Sequence, residues 1–116
     1  MASGDLSYLK LSGSTDGKGI KVTGTSTAAT VTVHAAHATS NDEIDVYAYN
    51  DDAAAKLLTL EWGGATDPDN VIRMTIPSRV GPVFVCSLPL SNSLVVKAFA
   101  ETANVIMIYG RVKRID

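Results

Sequence analysis

Residues 93–112 constrain the fold most, because two apolar stretches are separated there by only a short polar break. The first reads Ser-Leu-Val-Val-Lys-Ala-Phe-Ala and the second Val-Ile-Met-Ile-Tyr-Gly-Arg-Val, with Glu-Thr-Ala-Asn between them. Both stretches are rich in β-branched and aromatic residues, which favour strands. The pattern predicts a β-hairpin in which Ala100 lies opposite Val105 and Ala98 lies opposite Met107.

Neither face of this predicted hairpin is polar. An antiparallel ribbon with one solvated face normally alternates apolar and polar residues, so we expect both faces to be covered. A second sheet, a loop or another subunit would each provide such a cover. The doubly apolar hairpin therefore also predicts self-association, since buried oligomer faces are more apolar than ordinary surface.

The composition predicts one globular domain and excludes a nucleic-acid-binding protein. The 116 residues are 46% hydrophobic and 19% charged, which supports a single core without metal or disulfide staples. The formal net charge of −2 provides no basic footprint for a phosphate backbone, so we expect no nucleic acid partner.

Segments that would direct or anchor the chain are not found in the sequence. The first residues lack the basic start and apolar stretch of a signal peptide, and no apolar run approaches the roughly 20 residues that span a bilayer. We expect synthesis in the cytoplasm and no membrane partner. Cys86 is the one cysteine, which rules out an intrachain disulfide, and its apolar neighbours predict a small buried side chain.

Alternation of apolar and polar residues predicts about nine strands. The ambiguous segment is 52–62, where Asp52 and three alanines favour a helix but Leu58, Leu60 and Trp62 alternate as in a strand. We predict a strand at 56–62. The full set of predicted strands is 6–11, 20–22, 30–34, 43–49, 56–62, 71–76, 80–86 and the two hairpin strands.

These strands recur at intervals of about 8 to 12 residues, which is typical of a β-sandwich or barrel. The predicted fold is all-β: a single-domain antiparallel β-sandwich, jelly-roll-like, with eight to nine strands over residues 1–116. Residues 1–5 are small and polar and are predicted to form a flexible N-terminal arm. Residues 87–92 are predicted to be a loop, and residues 113–116 a tail.

No group of residues has the spacing of a catalytic or metal site. His34 and His37 lie near Asp42, Glu43 and Asp45, but histidines three apart on a strand point to opposite faces, and no third ligand has a recognised spacing. Strand-edge or loop histidines are the simpler interpretation. A serine with a histidine and an aspartate lacks the strand-to-helix elbow of a nucleophile. We expect no enzyme activity, no metal and no cofactor.

Two further patterns have simple structural explanations. Asp67, Asp69 and Asn70 lack the glycine and glutamate of a calcium loop, so a proline-containing turn is preferred. Trp62 with Tyr8, Tyr47 and Tyr49 would suit a sugar-binding platform, but Trp62 shares the spacing of Leu58 and Leu60, which favours burial in the core.

About two thirds of the chain, residues 34–115, resembles a small family of tailed-bacteriophage virion proteins regarded as head-associated. The resemblance implies a small β-sandwich that decorates or cements a capsid, often as a trimer, and it implies no catalytic residues. Residues 1–29 lie outside it. The residues that carry it are His34, Asp42-Glu43-Ile44, Tyr47-Ala48, Leu60-Glu61-Trp62-Gly63-Gly64, Pro68-Asp69, Ile76-Pro77, Gly81, residues 93–100, Ala103-Asn104-Val105-Ile106, Gly110, Val112 and Arg114-Ile115.

The expected partners are a major capsid protein and further copies of the chain, and the expected location is the capsid surface of a virion. A neck or tail protein is the alternative, and a carbohydrate-binding module is a second one. The loops 12–19 and 63–69 and the N-terminal arm are predicted to dock. The candidate contact residues are Ser14, Asp16, Lys18, Thr66, Asp67, Asp69, Val95, Phe99, Tyr109 and Arg111.

Overall fold

A computed structural model describes residues 6–115, so the arm predicted for residues 1–5 lies outside the described part. The described chain forms strands and loops, and no helix in it is long and apolar enough to cross a membrane. The strands are β1 (Leu6–Lys10), β2 (Ile20–Lys21), β3 (Val31–Ala35), β4 (Asn41–Asn50), β5 (Lys56–Trp62), β6 (Val71–Ile76), β7 (Val83–Leu90), β8 (Val95–Ala100) and β9 (Ile106–Ile115).

The strands form two antiparallel sheets that face each other. Sheet I has the order β1-β9-β4-β7, with β2 also paired to β9, and sheet II has the order β3-β8-β5-β6. Strands β1 and β2 lie on the same side of β9 and are separated by the loop 11–19. Counted as one strand, they give two four-stranded sheets in the order of a jelly roll. The predicted single-domain, jelly-roll-like β-sandwich is confirmed.

Strand β4 shows how the sequence directs residues to the core. Its even-numbered side chains Ile44, Val46 and Ala48 are fully buried, whereas Tyr47 between them is exposed. Side chains alternate across a strand, so a period of two places one set inward and the other outward. The even-numbered residues of β8 are buried in the same way, as are Leu58 and Leu60 of β5, and the core lies between the two sheets.

The predicted hairpin is wrong, because β8 and β9 belong to opposite sheets. Ala98 lies opposite Leu60 of β5, and Met107 lies opposite Tyr49 of β4. The connection 101–105 therefore crosses from one sheet to the other instead of turning back within a sheet. Both strands still bury one apolar row, and these rows meet across the core without sharing backbone hydrogen bonds.

The expectation that both faces of these strands are covered is also wrong for the single chain. Each strand buries its even-numbered side chains and turns the others away from the core. Lys97, Tyr109 and Arg111 are exposed. The outer sheet surfaces are thus available for contacts, as the predicted docking loops are.

Three predicted boundaries need correction, while the strand at 56–62 is confirmed. Strand β7 begins at Val83, after Pro82, which has no N–H to give to a sheet. It continues to Leu90 through residues predicted to be a loop, because they pair with Asp42 to Asp45 of β4. The predicted C-terminal tail is strand as far as Ile115, since it pairs with both β1 and β4.

Candidate functional site

The outer surface of sheet I carries a row of aromatic side chains. Tyr47 of β4 lies directly opposite Phe84 of β7 on one side and Tyr109 of β9 on the other. The Tyr47 and Phe84 ring centroids are 5.5 Å apart, with the rings inclined at 67°. Edge-on pairs of this kind are favourable for aromatic rings. The row crosses three neighbouring strands.

These rings and two neighbouring residues of β1 form what we call the aromatic face: Leu6, Tyr8, Tyr47, Phe84 and Tyr109. Phe84 is 53% exposed, Tyr47 and Tyr109 are each 37% exposed, Tyr8 is 64% exposed and Leu6 is 51% exposed. They are five of the eight large apolar side chains exposed in residues 6–115. Tyr47, Phe84 and Tyr109 are adjacent, whereas Tyr8 lies opposite Lys113 and is separated from Tyr109 by Arg111. Apolar side chains gathered on one surface indicate an interaction site, whereas scattered ones need no explanation.

Charged residues of both signs continue the aromatic face toward the ends of β4 and β9. Lys113 lies 3.6 Å from Glu43, and Arg111 lies 3.9 Å from Asp45. The Arg111 guanidinium is also 5.8 Å from the centre of the Tyr8 ring. Exposed pairs like these add little to folding stability. The outer surface of sheet I therefore carries both positive and negative side chains, which suits contact with a protein better than contact with a polyanion.

The loop 11–19 borders the aromatic face. The Tyr109 ring packs so closely on Gly19 that a Cβ there would come within 2.8 Å of it, and the Lys10 side chain passes near Gly17. Within the loop the Ser14 hydroxyl donates to the Lys18 carbonyl oxygen at 2.7 Å. Gly19 of this loop therefore lies against the aromatic face, whereas Gly13 at its other end donates its N–H to Val33 of β3.

The structure divides the ten predicted contact residues between two surfaces. The first group, at sheet I, is Ser14, Asp16, Lys18, Tyr109 and Arg111. The second group, at sheet II, is Thr66, Asp67, Asp69, Val95 and Phe99. In the second group Asp67 accepts two hydrogen bonds from Arg73, at 2.8 and 3.3 Å, which engages it within the chain. No single surface holds all ten residues.

His34 is buried in a polar network that joins the two sheets. Its Nε2 lies 2.7 Å from the Asp42 carboxylate, and its Nδ1 accepts the Ser12 N–H at 3.0 Å. Arg114 donates two hydrogen bonds to Asp42, at 2.7 and 2.9 Å. Although β3 is an edge strand, His34 is thus a core residue and not a surface one.

This geometry rules out the chemical roles weighed for His34. The neutral ring donates through Nε2 and accepts through Nδ1, so neither nitrogen is left for a substrate or a metal. The Ser12 hydroxyl accepts the Ala35 N–H and forms no hydrogen bond with the ring. His37 instead caps a turn by accepting the N–H groups of Thr39 and Ser40. Across residues 6–115 no three His, Cys, Asp or Glu side chains are grouped to hold a metal.

The Asp42 carboxyl has a strongly shifted pKa. Burial raises the pKa, but the hydrogen bonds from Arg114 and His34 and the charge of Arg114 outweigh it and hold the pKa at about 2. A carboxylate in such a network stays ionised at any physiological pH. Asp42 is therefore a structural anion that ties β4 to β3 and β9.

The aromatic residues proposed for sugar binding do not form a platform. Trp62 is half-buried, and its Nε1–H donates to the Pro89 carbonyl oxygen at 3.1 Å. The Tyr49 hydroxyl donates to Asp51 at 3.0 Å.

Cys86 is half-buried near Asp45, and burial raises the pKa of its thiol to about 11. A thiol with such a pKa is unreactive at neutral pH.

Sequence reasoning missed Phe84 and placed Tyr47 among the sugar-binding candidates. A signal existed, because Tyr47 and Tyr109 occupy the outward parity of strands whose other parity is apolar. Their alignment with Phe84 depends on register between distant strands, which alternation alone does not give.

Comparisons with models of known protein families, with curated proteins and with solved structures each return no match for this chain.

Proposed function

We propose that this protein is a structural, non-enzymatic component of a bacteriophage virion: a decoration protein that binds the major capsid protein at junctions between shell subunits. The aromatic face is the observation that carries the proposal. Jelly rolls occur in viral capsid proteins and in lectins alike, so the fold by itself does not choose between these functions. The resemblance of residues 34–115 to head-associated phage proteins supports the first.

A broad protein partner fits the aromatic face better than a small ligand does. Small molecules bind in concave pockets, whereas Tyr47, Phe84 and Tyr109 lie in a row across the outside of a sheet. Tyr, Phe and Arg are enriched in protein interfaces, and Arg111 lies beside these rings. The loop 11–19 adds exposed polar groups at the border, as a polar rim does.

The proposed mechanism relies on many copies of a modest interface. Each contact has to provide only a few kcal/mol, because contacts repeated around a closed shell act together. Loss of one capsomer would then require many interfaces to open at once. The inner sheet surfaces remain in the core, so docking requires no rearrangement of the sandwich.

The decisive experiment locates the protein in an assembled particle and counts its copies, by cryo-electron microscopy of virions. We expect hundreds of copies over the shell, with the aromatic face turned toward the capsid protein. Six or twelve copies at a single vertex would contradict the decoration proposal and indicate a neck or tail protein.

Variants test the surface itself. Tyr8→Ser and Tyr109→Ser, made together, should lower occupancy on shells at least tenfold, since aromatic anchors dominate interface energies. Both side chains lie outside the core, and urea unfolding of the double variant measures the stability lost with the contact between Tyr109 and Gly19. Leu94→Ser is the matched control: Leu94 is 42% exposed but lies outside the aromatic face. If the double variant and the wild type occupy the shell equally, the aromatic face is not the surface that binds the capsid protein.

The carbohydrate alternative is tested on a glycan array with the wild-type protein. The inclined rings of Tyr47 and Phe84 and the internal hydrogen bond of Trp62 give sugars no flat stacking surface. We expect no sugar-dependent signal. A reproducible signal that Tyr47→Ser abolishes would favour a lectin-like function instead.

A further inference from the structure

Glu61 is a buried carboxylate on the outer side of sheet II. It lies on β5 with the parity opposite to that of Leu58 and Leu60, so it points away from the core. It is nevertheless only 4% exposed. Residues 25–27 and the loop 63–70 cover this part of the sheet and form a groove above Glu61.

Among residues 6–115 no cationic group lies within ion-pair distance of this carboxylate, although Lys97 also lines the groove. The carboxylate's one hydrogen bond from the described residues comes from the Thr27 hydroxyl to Oε2, at 2.6 Å. Lys97 is directly opposite on β8, yet it forms no ion pair with Glu61 within the described chain. The nearby Arg73 is held by Asp67 through two hydrogen bonds. Oε1 is left with no donor from residues 6–115.

Two adjoining cavities open onto this carboxylate. One has a volume of about 330 Å³ and is lined by Glu61, Thr27, Phe99 and Arg73, among others. The other has a volume of about 270 Å³ and shares Glu61 and Ala65 with the first. The larger volume is at the lower end of the range for small-molecule pockets. The groove is therefore sized for one side chain or a compact ligand.

The buried carboxylate of Glu61 indicates which kind of group would bind in the groove. A buried carboxylate is costly unless a cation and hydrogen-bond donors compensate it. A guanidinium or ammonium group supplies both, and the half-buried Phe99 ring in the same cavity provides an aromatic face for a cation. A metal ion is disfavoured, because no three His, Cys, Asp or Glu side chains are grouped among the described residues, and Asp67, the other carboxylate of this cavity, is held by Arg73.

We propose that the Glu61 groove binds an arginine or lysine side chain presented by a segment of a protein partner. The site goes beyond the capsid-docking function, because it lies on sheet II and does not use the aromatic face. A result at either surface leaves the other proposal open to its own test.

The experiment is an NMR titration of the intact protein with three capped peptides: acetyl-Gly-Arg-Gly-amide, acetyl-Gly-Lys-Gly-amide and acetyl-Gly-citrulline-Gly-amide. The arginine and lysine peptides should bind with Kd near 1 mM, which is typical of one isolated contact. They should shift the amide resonances of Thr27, Glu61 and Phe99. Citrulline has nearly the shape of arginine without its charge, and its peptide should not bind.

Glu61→Gln should weaken arginine-peptide binding about tenfold or more, since the charge-assisted bond is lost while the Thr27 hydrogen bond is kept. Glu43→Gln, on sheet I, is the matched control and should bind like wild type. The proposal fails if the citrulline peptide binds as well as the arginine peptide. It also fails if Glu61→Gln binds normally, or if agmatine binds while neither charged peptide does. The citrulline comparison needs no variant, so it stands even if Glu61→Gln does not fold.

Discussion

At the scale of single residues, the core is closed at both ends by polar side chains whose hydrogen bonds are satisfied. Strand β4 points Asp42 and Asn50 inward at its two ends, and both are fully buried. The Asn50 amide donates to the carbonyl oxygens of Ala54 and Ile76, and its oxygen accepts the Asp52 N–H. Buried polar groups with complete partners fix one arrangement of the surrounding strands, whereas a missing partner is costly.

The Asp42 network predicts a specific pH dependence. The folded-state pKa is lowered from 3.8 to about 2, so this stabilisation is complete above about pH 5 and is lost as the pH falls toward 2. The shift corresponds to about 2 kcal/mol of stability at neutral pH. Asp42→Asn should therefore be less stable at pH 7 by at least about 2 kcal/mol and should lose less stability between pH 5 and 2 than wild type.

Urea unfolding from pH 2 to pH 7 measures both effects. Asp16→Asn is the matched control, because Asp16 lies in the exposed loop 11–19. It should keep the wild-type profile. If Asp42→Asn follows the wild-type profile in parallel, the acid sensitivity does not come from this carboxylate.

At the scale of strands, alternation predicted existence and parity well, but it did not predict partners. Ala98 and Ile108 were expected on strands and are buried there. Alternation reads the same whether the next strand lies beside a strand or across the core from it, so the β8–β9 connection was taken for a hairpin. A jelly roll in fact requires its last two strands to lie in opposite sheets.

The unpredicted parts share one physical cause, which is dependence on contacts between distant residues. Arg114 reaches Asp42 across 72 positions of sequence, and Thr27 reaches Glu61 across 34. Neither pair has a local spacing that a sequence pattern could reveal.

Gly110 provides a test of the β4–β9 pairing. It lies opposite Val46, and a Cβ at this position would come within 1.9 Å of the Asp45 carbonyl oxygen. Backbone atoms cannot move aside as a flexible side chain can, so Gly110→Ala should destabilise the protein by about 2 kcal/mol or more. Urea unfolding monitored by Trp62 fluorescence gives the value.

Gly17→Ala separates this clash from ordinary glycine strain. Gly17 has a φ of 87°, but a Cβ there would meet only side-chain atoms of Lys10, at 3.8 Å. Its cost should be about 1 kcal/mol, from the left-handed backbone alone. Equal costs for the two substitutions would contradict the close approach of β4 to β9.

At the scale of the whole molecule, the aromatic face reaches the free edge of sheet I at β7, where Phe84 belongs to both. Val80, Phe84 and Leu88 expose apolar side chains along this edge. Exposed edges invite pairing with another chain, but Pro82 and Pro89 lack the N–H groups that strand addition needs. A copy that met this edge would therefore make contact through side chains and not through a continuous sheet.

Self-association was first predicted from a hairpin that the structure does not contain, and β7 now provides a different reason for it. We predict that the free protein forms oligomers through β7, with the trimer implied by the resemblance as the expected state. Sedimentation equilibrium at tens of micromolar protein should give a mass above that of the monomer. Phe84→Ser with Leu88→Ser should restore the monomer, because both exposed apolar groups leave the contact. Leu94→Ser, a comparable change outside β7, should sediment like wild type. If the wild-type protein is a monomer at this concentration, the prediction of self-association through β7 is wrong. Copies of the protein would then come together only when they bind the capsid shell.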